Sequence, residues 1–527
     1  MGRNKVITLY NTIKFLKPVQ IYYRLYYFIR NRFFKKAYKK KQTNKKNDLK
    51  WKDFIYSNNP YLGNKEFRFL NVSKNFENKI DWNYAAFGKL WTYNLNYFDF
   101  LNQNNIEMKN GLELILNYLE NDEVLLDGKE PYVLSLRGIN WIKFLSKNNI
   151  KNALVDETLY NHYQILINNI EYHLLGNHLL ENGFSLLFGA YYFRDEQLYE
   201  KAEKILKLEL KEQVLEDGGH YELSPMYHQT LLSRLLDCIQ LIKFNDEWKD
   251  KKLLAFLEEQ CSKMLSWLSI VTYNNGNIPM VNDSTFNIAP TSKELFTYAK
   301  VLGITWKKIS LKDSGYRKYE LDKLEIFLDV GDIQPSYQPG HAHSDTFSFE
   351  LCFDNKPIIV DPGVSTYEKN QIRQTERGTY YHNTVQLGDL EQTKVWGGFR
   401  VAKRAKVFEL KERRGKISAK HNGYKDYGVI HKRVFQFKEN TFKINDFIIG
   451  NSQLEKKFML HFHPDVKFKK NDDKEYQLDD LKLKFGGKLS KILEKEYNYS
   501  IGFNKTIKGK KLVVIFEDKL ETSIIKV

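Results

Sequence analysis

Cysteine is scarce. The chain has three in 527 residues, Cys238, Cys261 and Cys352. They are far apart and form no C-x-x-C pair, which excludes a disulfide framework and a thiolate metal site. Cys238 falls in an apolar helical pattern and reads as a buried structural thiol. Long apolar runs are also missing. The most apolar early stretch, Val19 to Phe34, is broken by Arg24, Arg30 and Arg32 and is too short and too charged to span a bilayer. It can still form an amphipathic helix lying at an interface. Met1 to Tyr10 lacks the continuous apolar core and small-residue cleavage site of a secretory signal. The expected location is therefore cytoplasmic, or peripheral at the inner membrane face, in preference to secreted. Acidic residues are nearly absent from the first fifty positions, where Asp48 stands alone against 15 Lys and Arg. The rest of the chain carries 67 basic and 64 acidic residues, so most of the formal +17 sits in one arm. A nearly neutral body with a basic arm is not the footprint of a globular nucleic-acid binder. Such an arm suits anionic lipid or an acidic polymer.

What the sequence does have is length and apolar mass enough for two large domains, with 42% hydrophobic and 15% aromatic residues. The 34 Tyr and 35 Phe suit stacking on sugar rings, and equally suit compositional drift in a chain rich in Lys, Asn and Ile. Residues 1–50 read as a basic arm that ends in a solvated linker over 35–50. From Asp81 to Ile270 the pattern is helical. Apolar residues recur at three- and four-residue intervals over Glu157–Leu175, Leu198–Val214 and Lys251–Ile270. Asp217-Gly218-Gly219 is a stop signal, and Ser224-Pro225 is an N-cap followed by a first-turn proline. Near Leu324 the pattern changes to short β-branched and aromatic segments: Leu324–Val330, Phe347–Phe353, Lys356–Val360, Val429–Phe437, Thr441–Ile449, Lys457–His461 and Lys511–Glu517, with Asp354-Asn355 as a hairpin turn. The expectation is an α+β multidomain chain, with paired helices over 51–315 and an antiparallel β-sandwich over 316–527.

Four clusters carry chemistry. In Asn177-His178-Leu-Leu-Glu181 the histidine and the glutamate, three apart on a helix, share a face, so the carboxylate can orient or charge the imidazole; a surface ion pair has the same spacing. In Gly219-His220-Tyr221-Glu222-Leu-Ser224-Pro225-Met-Tyr227-His228, Tyr227 falls in the first turn of a capped helix, whose positive end would favour a phenolate and make a base; a structural tyrosine fits equally. In Gly340-His341-Ala-His343-Ser-Asp345, two histidines that point the same way in extended chain, beside an aspartate, hint at a metal. Val360-Asp361-Pro-Gly363 and His382-Asn383-Thr384 place polar residues at strand ends, where turn formation alone would also put them.

In wording and order these strings, with Leu90–Asp99, Pro131–Trp141 and Val395–Arg400, resemble the heparinase II/III family of polysaccharide lyases over nearly the whole chain. The resemblance implies an incomplete α/α toroid followed by an antiparallel β-sandwich, and β-elimination on a uronic-acid-containing polysaccharide. By the same resemblance Tyr227 matches the tyrosine that serves as base, acid or both, and His178 and His341 match histidines flanking the cleaved bond. Asn177 sits where an amide or its neighbour grips the uronate carboxylate, and Glu181 matches a supporting carboxylate. His343, Asp361 and His382 match a trio that binds one zinc of mainly structural role. Arg137 and Arg377, on charge grounds, and Asn140 are added as candidates to hold the uronate. Two departures stand out: degradative members usually carry export signals, and the start Tyr10 to Phe34 is similar to members associated with surface-polysaccharide synthesis. The competing readings are a glycan-binding protein associated with polysaccharide assembly, weakly active or inactive, and a metal-dependent hydrolase, which needs an open metal position and a water-activating carboxylate.

Overall fold

A computed structural model describes residues 3–34, 48–249 and 251–527. Helices α1 (Arg3–Ile13) and α2 (Pro18–Phe33) form the N-terminal arm, and most of the linker expected at 35–50 lies outside the described residues. A small three-stranded antiparallel sheet over 61–75 precedes the helical half. That half comprises α3 (Lys89–Tyr97), α4 (Met108–Leu119), α5 (Pro131–Lys147), α6 (Ala153–Ile167), α7 (Gly176–Phe193), α8 (Glu196–Gln213), α9 (Pro225–Phe244), α10 (Lys252–Val271) and α11 (Ser292–Val301). Helix α7 is buried along almost its whole length, and α5 and α9 nearly so. Helices apolar on every side belong in an interior. Helix α7 packs against both α5 and α9, while α6 packs on α5 and α7, α8 on α7, and α10 on α9. Helix α8 shows the difference: Leu198, Ala202, Ile205 and Leu206 face in, and its Lys and Glu face water.

The helix starts are set by side chains that accept first-turn amides. Asn152 accepts from Val155, Asp195 from Leu198, Ser224 from Tyr227 and Thr291 from Glu294. The stop of α6 departs from the expected run to Leu175. Asn168 and Asn169 fold their side-chain amides back onto the carbonyls of Gln164 and Ile165, a local bond that competes with helix continuation. The chain from 168 to 175 is thereby free to line the site.

The strands of the C-terminal half begin at Tyr316. Tyr316–Leu321, Leu324–Asp329, Phe349–Phe353 and Lys356–Ile359 form a four-stranded antiparallel meander. Asp354 and Asn355 both have positive φ, as a two-residue hairpin loop requires. A ten-stranded antiparallel sheet covers it, built around the pair Leu481–Gly502 and Lys505–Lys526, 22 residues each. Leu324, Ile326 and Leu328 of the meander share one core with Phe435, Phe442, Ile444 and Leu512 of the large sheet, the face-to-face packing of a sandwich. The strand 481–502 has no counterpart in the sequence reading, because much of its length is exposed and its lysines and glutamates blur the alternation.

After α8 the chain reverses through Leu215–Gly219, where Val214 bridges to His220. Gly218 sits at φ +77°, and a Cβ there would meet the Lys263 carbonyl oxygen at 2.0 Å. Gly276, at φ +88°, has nothing within 4 Å. Both positions charge an alanine the left-handed penalty of roughly 1–2 kcal/mol, but only Gly218 adds a backbone collision. Gly218→Ala is expected to lower the thermal unfolding temperature clearly more than Gly276→Ala; equal shifts would refute the close approach of this turn to α10.

Candidate active site

The site forms where the N-termini of α7 and α9 meet two loops, 278–286 from the end of the helical half and 338–345 from the β half. Leu175, at φ 62° and ψ −153°, starts α7 in a region that residues other than glycine occupy at a cost. Gly176 follows, so close to Glu222 that a Cβ would lie 2.5 Å from its Oε1. The Asn177 backbone N–H donates to Glu222 Oε1 at 3.1 Å and its Nδ2 donates to Oε2 at 2.9 Å. Burial alone would raise the Glu222 carboxyl, but His341, His220 and the Asn177 donors outweigh it and hold the group below the ordinary range. Asn177 Nδ2 is also 3.3 Å from His341 Nε2.

His341 is fixed from behind. Its Nδ1 is 2.8 Å from Asp283 Oδ2, and Asp283 Oδ1 takes His343 Nε2 at 2.9 Å. Arg373, from the short helix Gln371–Glu376, spans both oxygens at 2.5 and 2.6 Å. Asp283 is wholly buried. Burial opposes its charge, and the Arg373 guanidinium with the two imidazole bonds overcomes that and drives the carboxyl well below the ordinary range. An ionised Asp283 accepts the Nδ1 proton of His341, which turns Nε2 toward the Asn177 side.

Tyr227 occupies the first turn of α9 with its ring 4.0 Å from that of His341. The Ser224 cap and the first-turn proline are present as the sequence indicated. The expectation of a lowered phenol pKa is overturned. Burial raises it well above its ordinary value, and Tyr367, Asp283 and Glu222 add to the rise. A single helix end cannot outweigh desolvation with anions close by. Tyr227 is a protonated phenol at rest.

His178 belongs to the same end of α7, but its partner is not Glu181. Its Nδ1 contacts Glu171 Oε1 at 3.0 Å. Asn182 aligns Glu171 by donating to its Oε2 at 2.9 Å and accepting from its N–H at 2.8 Å. Burial would lower the imidazole, yet Glu171 foremost, then Glu222 and Glu181, raise it above the ordinary histidine value. Glu181 instead points into the helical core, with Arg234 Nε 3.7 Å from its Oε2. There burial pushes its carboxyl up to about 7, against the pull of Arg234. Half-buried aromatic rings continue the wall: Tyr132 lies 4.5 Å from the His178 ring, Tyr97 6.0 Å from Tyr132 and Tyr93 6.0 Å from Tyr97.

The three uronate-binding candidates do not line this cleft. Arg137 is wholly buried, donating to the Gly128 carbonyl beneath Tyr118. Asn140 is buried between the Tyr97 carbonyl and Asn102. Arg377 is buried and spent on the carbonyls of Ala342 and Gly398, which shape the 340–343 loop. All three donate to groups that would otherwise be unsatisfied in the interior. Arg234, two turns along α9 from Tyr227, keeps 15% of its side chain exposed beside Glu181. His341 and His343 lie in the loop that leads into the strand Phe349–Phe353, and that loop lets both reach Asp283.

The expected metal ligands meet only in pairs. The rings of His343 and His382 are 5.3 Å apart, and His382 Nδ1 contacts Asp361 Oδ2 at 2.7 Å. All three are buried. Among the described residues no three His, Cys, Asp or Glu side chains stand as a ready donor set. His343 Nδ1 and His382 Nε2 are buried without a hydrogen-bond partner, the kind of vacancy in bonding that a cation, or a water, would fill.

Glu171, Glu222, Asp283, Tyr367 and Arg373 are the residues that sequence reasoning did not single out. Glu222 stood inside a quoted string, and its place two residues before the Ser224 cap was the available signal. Asp283 lies in an irregular loop without periodicity and carried none.

Comparison with known proteins agrees with this architecture. The family model described as heparinase II/III N-terminus matches residues 135–303, and that described as heparinase II/III-like, C-terminal, matches 304–516. A heparin-sulfate lyase of Bacteroides stercoris is 24% identical over 296 residues, which span 48% of this chain and 43% of that relative. A heparinase III crystal structure superposes with a TM-score of 0.68 at 14% identity, covering 98% of this chain and 92% of the other. The heparan sulfate lyase HepC from Pedobacter heparinus gives 0.55 at 17% identity, over 88% and 81%. These structural likenesses carry the fold, and the two family models, meeting end to end across residues 135–516, carry the assignment: the chain belongs to the heparinase II/III family.

Proposed function

We propose that this protein is a polysaccharide lyase that cleaves a uronic-acid-containing polysaccharide by β-elimination. The observation that carries the reading is the convergence of Asn177, Tyr227 and His341 at one site, with His178 on the turn of α7 beside them. Elimination needs the uronate charge neutralised, the proton on the adjoining carbon removed, and a proton returned to the departing oxygen. His178, raised by Glu171, is the cation suited to the carboxylate, and Arg234 takes the part first assigned to Arg137 and Arg377. His341 Nε2 accepts the carbon-bound proton while Asp283 steadies the charge it acquires. Tyr227, protonated at rest and with its ring against His341, donates to the leaving oxygen. The like substrates named for the relatives make a glycosaminoglycan the first class to test. The aromatic wall Tyr93–Tyr97–Tyr132 offers faces on which sugar rings can lie.

The helical half reads as an incomplete α/α toroid; the buried group α5, α7 and α9 with α6, α8 and α10 packed on it supports that architecture. His343, Asp361 and His382 would hold one zinc, which would supply a fixed positive charge behind the 340–345 loop and help place His341. The buried, unpartnered Nδ1 of His343 and the adjacency of His382 Nδ1 to Asp361 Oδ2 support this.

Purified protein offered a panel of acidic polysaccharides is expected to generate the ultraviolet absorbance of an unsaturated uronate; no absorbance on any uronate polymer would reject the lyase. On a cleaved substrate Tyr227→Phe should lower kcat about 10²–10⁴-fold with the unfolding temperature unchanged, and near-normal turnover would remove Tyr227 from the proton path. Elemental analysis should find about one zinc per chain, lost in His343→Ala; zinc-free protein that takes up none on reconstitution would end the metal proposal. Glu181 keeps its proton in the folded protein where an ordinary carboxyl at 4.5 has lost it, up to about 7. Folded-state stability from this group is therefore full below pH 4.5 and lost as pH rises through 7. Relative to Glu181→Gln, the wild type should lose about 3 kcal/mol across that window, measured by denaturant unfolding. Parallel profiles would contradict a buried, protonated Glu181.

A further inference from the structure

Helix α2 is amphipathic in the inverted sense. Its inward positions, 20, 23, 27 and 30, carry Gln, Tyr, Tyr and Arg. Gln20 is fully buried and donates to the Leu174 carbonyl at 3.2 Å and to Gln338 Oε1 at 2.6 Å. The Tyr27 hydroxyl donates to the Ile170 carbonyl at 2.6 Å, and Arg30 donates to the Asn168 carbonyl at 2.7 Å. The outward face instead carries Ile21, Tyr22, Leu25, Phe28, Ile29 and Phe33, with Leu25 59% and Phe28 63% exposed. Helix α1 extends this face with Val6, Ile7, Tyr10 and Ile13. The arm is fastened to both halves of the protein: Lys17 pairs with Glu212 of the helical half, Thr12 accepts from Trp396, and Arg404 covers the Phe15 ring at 3.9 Å.

A helix that turns its polar groups inward and a continuous apolar face outward is unfavourable in water, and an exposed apolar patch of this extent marks a surface that meets something other than water. Charge selects the partner. The first fifty residues hold 15 cations and one acid, and Lys14, Arg24 and Arg32 are exposed along the same arm. A second copy packed through the same face would set one strongly positive arm against another. An anionic bilayer complements both the apolar face and the charge. No helix among the described residues is long and apolar enough to cross a membrane, so the arm would lie along the surface.

We propose that α1 and α2 seat their outward face in the surface of an anionic bilayer. The polar inward face, Gln20, Tyr27 and Arg30, then ties the body to that surface. The anchor points Leu174 and Gln338 each lie three residues from Asn177 and His341, so the attachment adjoins the cleft. This inference stands independently of the lyase reading.

The test is flotation of the full chain with vesicles of phosphatidylcholine alone and of phosphatidylcholine mixed with phosphatidylglycerol. It compares wild type with Leu25→Ser/Phe28→Ser, whose side chains are exposed and whose unfolding temperature should match. Expected are binding to the anionic vesicles that weakens with salt, weak binding to phosphatidylcholine, and a loss of about tenfold or more in the double variant. Absence of binding by the wild type would overturn the proposal. So would binding unchanged by the two serines, which would leave a basic arm acting through charge alone. A dimer in sedimentation velocity that the serines dissolve, without vesicle binding, would assign the face to a second copy instead.

Discussion

One buried carboxylate holds the two halves in register. Asp283 comes from the last loop of the helical half, and its partners His341, His343 and Arg373 come from the β half. A charge with no exposure is tolerated only when it is paired and hydrogen-bonded, and removing one partner from such a group typically costs about 3–5 kcal/mol. Each oxygen of Asp283 is doubly engaged, so its orientation is fixed, and with it the direction of His341. The neighbouring bonds reinforce the same seam: Asp283 N–H donates to the His341 carbonyl, Asn282 accepts the His343 N–H, and Asn282 and Tyr316 both donate to the Leu223 carbonyl.

The rest of the cleft depends on that seam. With His341 held by Asp283, the helical side has only to bring Asn177, Glu222 and Tyr227 to it. It does so with two helix starts, one capped by Ser224 and one entered through a strained Leu175. Strain at such a position is the kind of local cost found where geometry serves function. The polar groups that do not face the cleft are used to hold its frame. Arg377 ties down the 340–343 loop, Asn182 aligns Glu171, and Gln20 of the arm bridges the two segments that lead into Asn177 and His341.

Much of this was legible in the sequence where the signal is local. Ser224-Pro225 gave the start of α9, Asp354-Asn355 gave a hairpin, and the change of period near Leu324 separated helices from strands. The strings around Asn177, Tyr227 and His341 named residues that do converge. Where a reading failed, burial was the cause. Arg137, Asn140 and Arg377 look like ligands for an anion until the fold encloses them. Tyr227 looks like a lowered phenol until desolvation and nearby carboxylates are counted. Glu181, on the proper face of its helix for His178, was displaced by Glu171, which the early stop of α6 delivers from a loop.

The sequence by itself determined the order of helices before strands, several of their boundaries and the chemical types available at the site, because caps, turn residues and apolar periodicity act within a few residues. Tertiary structure alone decided which carboxylate each histidine meets, which arginines remain available, and which side of α2 faces the body. Those outcomes depend on where loops and interior packing bring side chains, in cases such as Asp283 with His341 and Gln20 with Gln338 across some 60 to 320 positions. They depend also on the loss of water around them, and neither leaves a mark in local sequence.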